Sequence, residues 1–209
     1  MGWMRAFASL CATLALALAA APAGSLPSEP EGQDEADYHA WLARDPAVRA
    51  QVIAFRTHLE LQGAADVVPT WQLVRTASMW RECEGPRFEV APFTEWAHIV
   101  RTLRFVRAHV VPVIGEVQAV SGFRNEGLNQ CSGGAKESAH RHFYAIDMVP
   151  VRPISREAMI RSLCRIHAWR GAEYSTGLGF YSGLRFHVDS KGFRKWGPDG
   201  KGATSPCNA

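Results

Sequence analysis

The sequence predicts an α+β fold, a small antiparallel sheet with flanking helices in a single domain. Three observations lead there. Residues 94–109 and 155–169 carry apolar side chains at helical spacing. Four short strand-like runs, 117–120, 143–149, 178–181 and 185–189, follow or interrupt those helices without the regular alternation of a doubly wound sheet. The chain has 209 residues, which at roughly 150 per domain leaves room for one domain and an arm but hardly for two.

Each element has its own reason. Residues 41–61 read as helix, broken and restarted at Asp45-Pro46, where Asp caps and Pro fits a first turn; Val48, Val52, Phe55 and Leu59 form the inward stripe. Residues 64–92 hold Pro69, Pro86 and Pro92 between short apolar pieces and read as loops and short strands. In the 94–109 helix, Trp96, Ile99, Val100, Leu103 and Val106 make one apolar face, and Pro112 and Gly115 are expected to end the segment. The helix at 155–169 has Ser155 as N-cap and Gly171 beyond its end. The basic stretch 191–195 reads as a solvated strand end.

Arg5 precedes an apolar, Ala- and Leu-rich run to Ala21, closed by Ala21-Pro22-Ala23. That pattern is a secretory signal peptide over 1–23, with a membrane anchor as the rival reading. The run is short for the ~20 residues that a span needs. Residues 24–37, with Pro27, Pro30 and five acids, are expected to be an extended acidic spacer before a domain at 38–209. No later stretch is apolar and long enough to span a bilayer, so export should leave the protein periplasmic or at the cell wall.

Of the 5 cysteines, Cys11 leaves with the signal peptide; Cys83, Cys131, Cys164 and Cys207 remain. In an oxidising compartment they suggest two disulfides, and spacing cannot choose among three pairings. The net charge of +3, with no basic run, gives no footprint for nucleic acid. The 47% hydrophobic and 21% charged composition excludes a disordered or fibrous chain.

The chemistry lies between Ser121 and Asp189. His140 and Asp147 stand seven apart, and His187 stands in Phe186-His187-Val188-Asp189. Two imidazoles and a carboxylate are a three-ligand set for catalytic zinc that leaves one position open. Residues seven apart on a continuous strand face opposite ways, so His140 and Asp147 can meet only if a turn precedes the strand. By the same parity His187 and Asp189 share a face.

Taken together, Ser138-x-His140-x(4)-Ala145-x-Asp147, preceded by Ser121-Gly122-Phe123-Arg124 with Asn129 and followed by His187-Val188-Asp189, resembles the zinc D-Ala-D-Ala carboxypeptidase family, peptidase family M15. The resemblance spans 117–196. It implies zinc ligands at His140, Asp147 and His187, and a substrate- or transition-state-facing guanidinium at Arg124, with Ser138 as a substrate contact. It implies hydrolysis of D-amino-acid peptide bonds in peptidoglycan stems or cross-bridges.

Two positions depart from the family pattern. Phe143 replaces the motif glycine and is expected to put a ring at the cleft wall. Leu184 stands where several relatives carry an acid as general base. Asp189, His142 and Glu126 are the alternatives, with Asp189 preferred for its face and a ligand-orienting role as its rival. Without a base, the same fold would be a zinc-containing binding or regulatory domain, as in the signalling domain of hedgehog proteins.

Overall fold

The computed structural model describes residues 30–208; the expected signal peptide, Cys11 and the start of the acidic segment lie outside the described residues. Helices α1 (Glu35–Arg44) and α2 (Pro46–Leu61) form the N-terminal hairpin, broken at Asp45 as expected. The Asp45 carboxylate accepts from Ala47 N, and Pro46 opens the new helix. The short α3 (Thr70–Leu73) leads to α4 (Trp96–Phe105), which runs on through 106–110 into α5 (Val111–Ile114). Then come β1 (Val117–Ser121), α6 (Glu126–Cys131), β2 (Ala145–Pro150), α7 (Arg156–Arg170), β3 (Gly177–Phe180), β4 (Phe186–Asp189) and β5 (Arg194–Trp196).

The fold is α+β. Its sheet has five strands in the order β1-β2-β4-β3-β5. The first four pair antiparallel as expected, but β5 joins β3 in parallel, so the sheet is mixed. The 191–195 stretch is therefore an edge strand that reaches Trp196.

Alternation along the strands separates two faces. Ile146, Met148, Leu178, Phe180, Phe186 and Val188 enter the hydrophobic core, where Ile99, Leu103, Val106, Met159 and Leu163 belong. Helix α4 covers this face at β2 and β4, and α7 packs on the helical continuation behind α4. The opposite face carries Asp147, Gly177, Gly179, His187 and Asp189, all buried or glycine.

Two expectations change. Pro112 does not end the helix. Residues 106–110 widen to a π turn in which Val111 N–H reaches back to Val106 O, so the chain absorbs the missing proline N–H and continues to Ile114. Nor is the end of the acidic segment extended: Gln33 is fully buried, Arg75 Nε donates to its carbonyl at 2.8 Å, and Asp34 caps α1. The acids at 34–37 serve a helix N-terminus, where negative charge is favoured.

The pairings left open in the sequence are Cys83–Cys131 and Cys164–Cys207. Two formed disulfides fit an oxidising compartment. Among the described residues, no helix is long and apolar enough to cross a membrane.

Candidate metal centre

Strand register assembles most of the site. Asp147 on β2 lies opposite His187 on β4, Ser121 on β1 lies opposite Asp147, and Gly179 on β3 lies opposite His187. This makes one row across the polar face. His140 joins it from outside the sheet. Ser138 caps a 3₁₀ turn over 139–142, and Phe143 then takes a left-handed backbone, φ 50° and ψ 28°, that turns the chain into β2. This is the turn that the seven-residue spacing required.

His140 Nε2, Asp147 Oδ1 and His187 Nδ1 converge. His140 Nε2 is 3.2 Å from both other atoms, and His187 Nδ1 is 2.9 Å from Asp147 Oδ1. All three residues are buried, and together they form a group that can hold a metal ion. Each imidazole is oriented by its other nitrogen. His140 Nδ1–H donates to Gly122 O at 2.6 Å, and His187 Nε2–H donates to Asp189 Oδ2 at 2.8 Å. Both rings, when neutral, therefore keep their lone pairs on the nitrogens that face Asp147. Gly122 is needed for this arrangement: a Cβ there would lie 2.5 Å from Leu73 O, so only glycine brings its carbonyl this close.

The electrostatics follow from burial and charge. Burial pushes His140 down to about 4, and the Arg124 charge adds to that. Burial also disfavours a charged His187, but the hydrogen bonds its ring donates to the Asp147 and Asp189 carboxylates when charged outweigh it and raise its pKa. For Asp147, burial acts upward; its pairing with His140, the Arg185 charge and its contact with His187 prevail and hold it well below the usual carboxylate range.

Asp189 is not placed to take a proton at the cluster. It sits behind His187, on the far side of the ring from Asp147. Its oxygens already accept from His187 Nε2, from Lys191 N at 2.8 Å, and from Arg194 at 2.9 and 2.8 Å. It orients the His187 ring, which is the geometry of the rival expectation. Gly177 makes room, since a Cβ there would fall 2.1 Å from Asp189 Oδ2.

The other proposed bases do not reach the cluster either. His142 pairs at the surface with Glu95 at 3.4 Å, and the exposed Glu126 pairs with Arg141 at 3.3 Å. Phe143 also departs from expectation. Its ring is 1% exposed and packs on Phe55 and Phe123 in the core, away from any cleft wall. Leu184 packs against the core.

A cleft of about 660 Å³ opens onto the cluster, lined among others by Arg124, Glu137, Ser138, Tyr181, Trp196 and Asp199. Arg124 lines the cleft and is tied to the cluster: Nε donates to Ser121 Oγ at 3.0 Å, and an Nη2 hydrogen reaches Asp147 Oδ2 at 2.8 Å. Ser138 caps the 3₁₀ turn and lines the cleft as well. Asn129 is structural, donating to Ala135 O at 3.0 Å to hold the loop after α6.

The sequence reading missed Tyr181 and Arg185. Arg185 donates to Asp147 Oδ2 at 2.6 Å, and the Tyr181 hydroxyl lies 3.1 and 3.2 Å from the two Asp147 oxygens. Strand parity with His187 was an available signal for Arg185; no signal existed for Tyr181, which the β3–β4 turn delivers. The chain matches no family model, no curated protein and no solved structure.

Proposed function

We propose that the protein is an exported zinc-dependent peptidase that hydrolyses D-amino-acid-containing peptide bonds of peptidoglycan, as carboxypeptidase or endopeptidase. The observation that carries the reading is the pair of opposed hydrogen bonds, His140 to Gly122 and His187 to Asp189, which leaves two lone pairs and one carboxylate oxygen aimed at a common point.

The donor set fits zinc. Tetrahedral bonds of about 2.0–2.1 Å put ligand atoms about 3.3 Å apart. The separations here are 2.9–3.2 Å. His140, Asp147 and His187 would hold the ion, and zinc held by them would supply Lewis-acid activation of water and of the scissile carbonyl.

The chain's own groups do the rest. Arg124 stands at the cleft wall, where a planar guanidinium suits a substrate carboxylate or developing negative charge. Arg185 and Arg124 together hold Asp147 ionised and in place. Of the cleft's two carboxylates, Asp199 already accepts from Lys201 N at 3.0 Å and from Thr204 Oγ1. Glu137, mostly exposed and loosely paired with Lys191 Nζ at 3.8 Å, is the cleft carboxylate that would take a proton from water and pass it to the leaving amine.

A second reading, a zinc-containing binding or regulatory domain without turnover, is favoured by one observation: Asp189, His142 and Glu126 all face away from the cluster or are already engaged. One experiment separates the readings. Purified mature protein is analysed for metal beside His140→Ala, then assayed on peptidoglycan fragments for released D-alanine or split cross-links. About one zinc per chain, lost in the variant, with turnover that His187→Ala abolishes, supports the peptidase. Zinc without turnover supports the binding domain. No zinc with the fold intact overturns both.

A further inference from the structure

We infer that Tyr181 is a catalytic residue of the proposed peptidase, lending its phenolic hydrogen to the carbonyl oxygen of the bond under attack. The inference rests on the peptidase reading and deepens it.

Tyr181 follows β3, and its backbone N–H donates to Arg185 O at 3.2 Å across the turn into β4. Its ring is fixed on two sides. Trp196 meets it edge-on at 5.2 Å between centroids, and the Arg185 guanidinium lies 4.8 Å from its centre. The residue lines the cleft alongside His140, His187 and Arg124. The hydroxyl is its one polar side-chain atom, and it lies beside the cluster.

The hydroxyl's hydrogen bonds are weak ones. It lies 3.1 Å from Asp147 Oδ1 and 3.2 Å from Oδ2. An O–H aimed between two acceptors, both beyond the usual 2.7–2.8 Å or so, bonds strongly to neither. Arg124 and Arg185 hold the same carboxylate at 2.8 and 2.6 Å, so Asp147 stays oriented without the tyrosine. The hydroxyl can turn to a substrate oxygen without loosening the ligand.

No atoms change hands in this role. Tyr181 keeps its proton, and water and a general base supply the proton balance of hydrolysis. The gain is electrostatic. Negative charge grows on the carbonyl oxygen as water adds, and a fixed donor stabilises that charge more than it stabilises the ground-state carbonyl.

The test compares zinc-loaded wild type with Tyr181→Phe on a stem pentapeptide ending in D-Ala-D-Ala and on a cross-linked muropeptide dimer. Zinc affinity by chelator competition, thermal melting, kcat and KM are read together. The expected result is zinc affinity and KM within about threefold of wild type, with kcat lower by about 100-fold, the usual loss for one such donor. A phosphinate analogue of the tetrahedral species should lose affinity in step with kcat, while an uncleaved D-peptide should not. Unchanged kcat overturns the inference alone. So does a kcat loss matched by lost zinc affinity or by a lowered melting temperature, since Tyr181 would then only position Asp147 or support the fold. A wild type that holds zinc but turns over neither probe overturns the peptidase reading and this inference with it.

Discussion

His187 lies between two carboxylates: Nδ1 is 2.9 Å from Asp147 Oδ1, and Nε2 is 2.8 Å from Asp189 Oδ2. Asp189 in turn is clamped by Arg194, so a chain of charge-assisted hydrogen bonds runs from the edge strand β5 to the centre of the site. The orientation of the His187 ring is thus set two strands away from it.

Asp189→Asn should weaken zinc binding by about 10–100-fold without removing a ligand, because the amide still accepts from His187 but lacks the charge that makes the imidazole basic. Competition with a chelator of known affinity measures this. An unchanged affinity would mean that Gly179 and Trp196 alone fix the ring.

Zinc binding should depend on pH through His187. Its pKa is raised, chiefly because hydrogen bonds to Asp147 and Asp189 outweigh burial. Metal and proton compete for Nδ1, so affinity is full above that raised pKa and falls about tenfold per unit as pH drops below it. The loss therefore begins above the ordinary histidine value of about 6.5. His140, held down to about 4 by burial, adds no loss until far more acid conditions. Calorimetry in buffers of different ionisation enthalpy should show about one proton released per zinc near neutral pH.

At Phe143 glycine should be better tolerated than alanine. The residue pairs a left-handed backbone, φ 50°, with a fully buried ring. Removing a buried Phe side chain costs about 3–5 kcal/mol. Glycine recovers roughly 1 kcal/mol of the left-handed strain that alanine keeps. Urea unfolding should therefore rank wild type, then Phe143→Gly, then Phe143→Ala, reversing the usual order of the last two.

The Cys164–Cys207 bridge closes over 43 residues and fastens the tail, whose Cys207 carbonyl accepts from Lys195 on β5 at 2.8 Å. Replacing both cysteines by serine should cost about 2–4 kcal/mol and lower the melting temperature by roughly 5–15 °C. Zinc content should not change, because the ligands sit on the central strands and the 139–142 turn. Calorimetry and metal analysis on the same sample check both halves.

Local pattern carried much of this protein. Helical spacing placed α2, α4 and α7 because their apolar stripes repeat with the helix turn, and Asp45 and Ser155 marked helix starts by capping chemistry; Gly171 does end α7, but with a right-handed φ of −60° rather than the left-handed cap a glycine usually supplies. Strand composition placed β1 to β4 to within two residues. The spacing of His140, Asp147 and His187 was enough to nominate a metal group and to require a turn before β2.

What the spacing could not decide was direction and company. Whether β5 pairs parallel or antiparallel depends on how the chain returns, not on its residues. Pro112 reads as a stop, yet the packing of 106–114 favours a π turn over a break. Phe143 carries its ring into the core because its left-handed backbone points it there, which no periodicity encodes. Asp189 faces the same way as His187, as parity required, but parity cannot say which nitrogen of His187 it meets. Tyr181 and Arg185 reach Asp147 only because β2, β3 and β4 lie side by side. Residues far apart in sequence become neighbours through backbone pairing, so the sequence alone determined which groups are available, and the tertiary structure decided which way each faces.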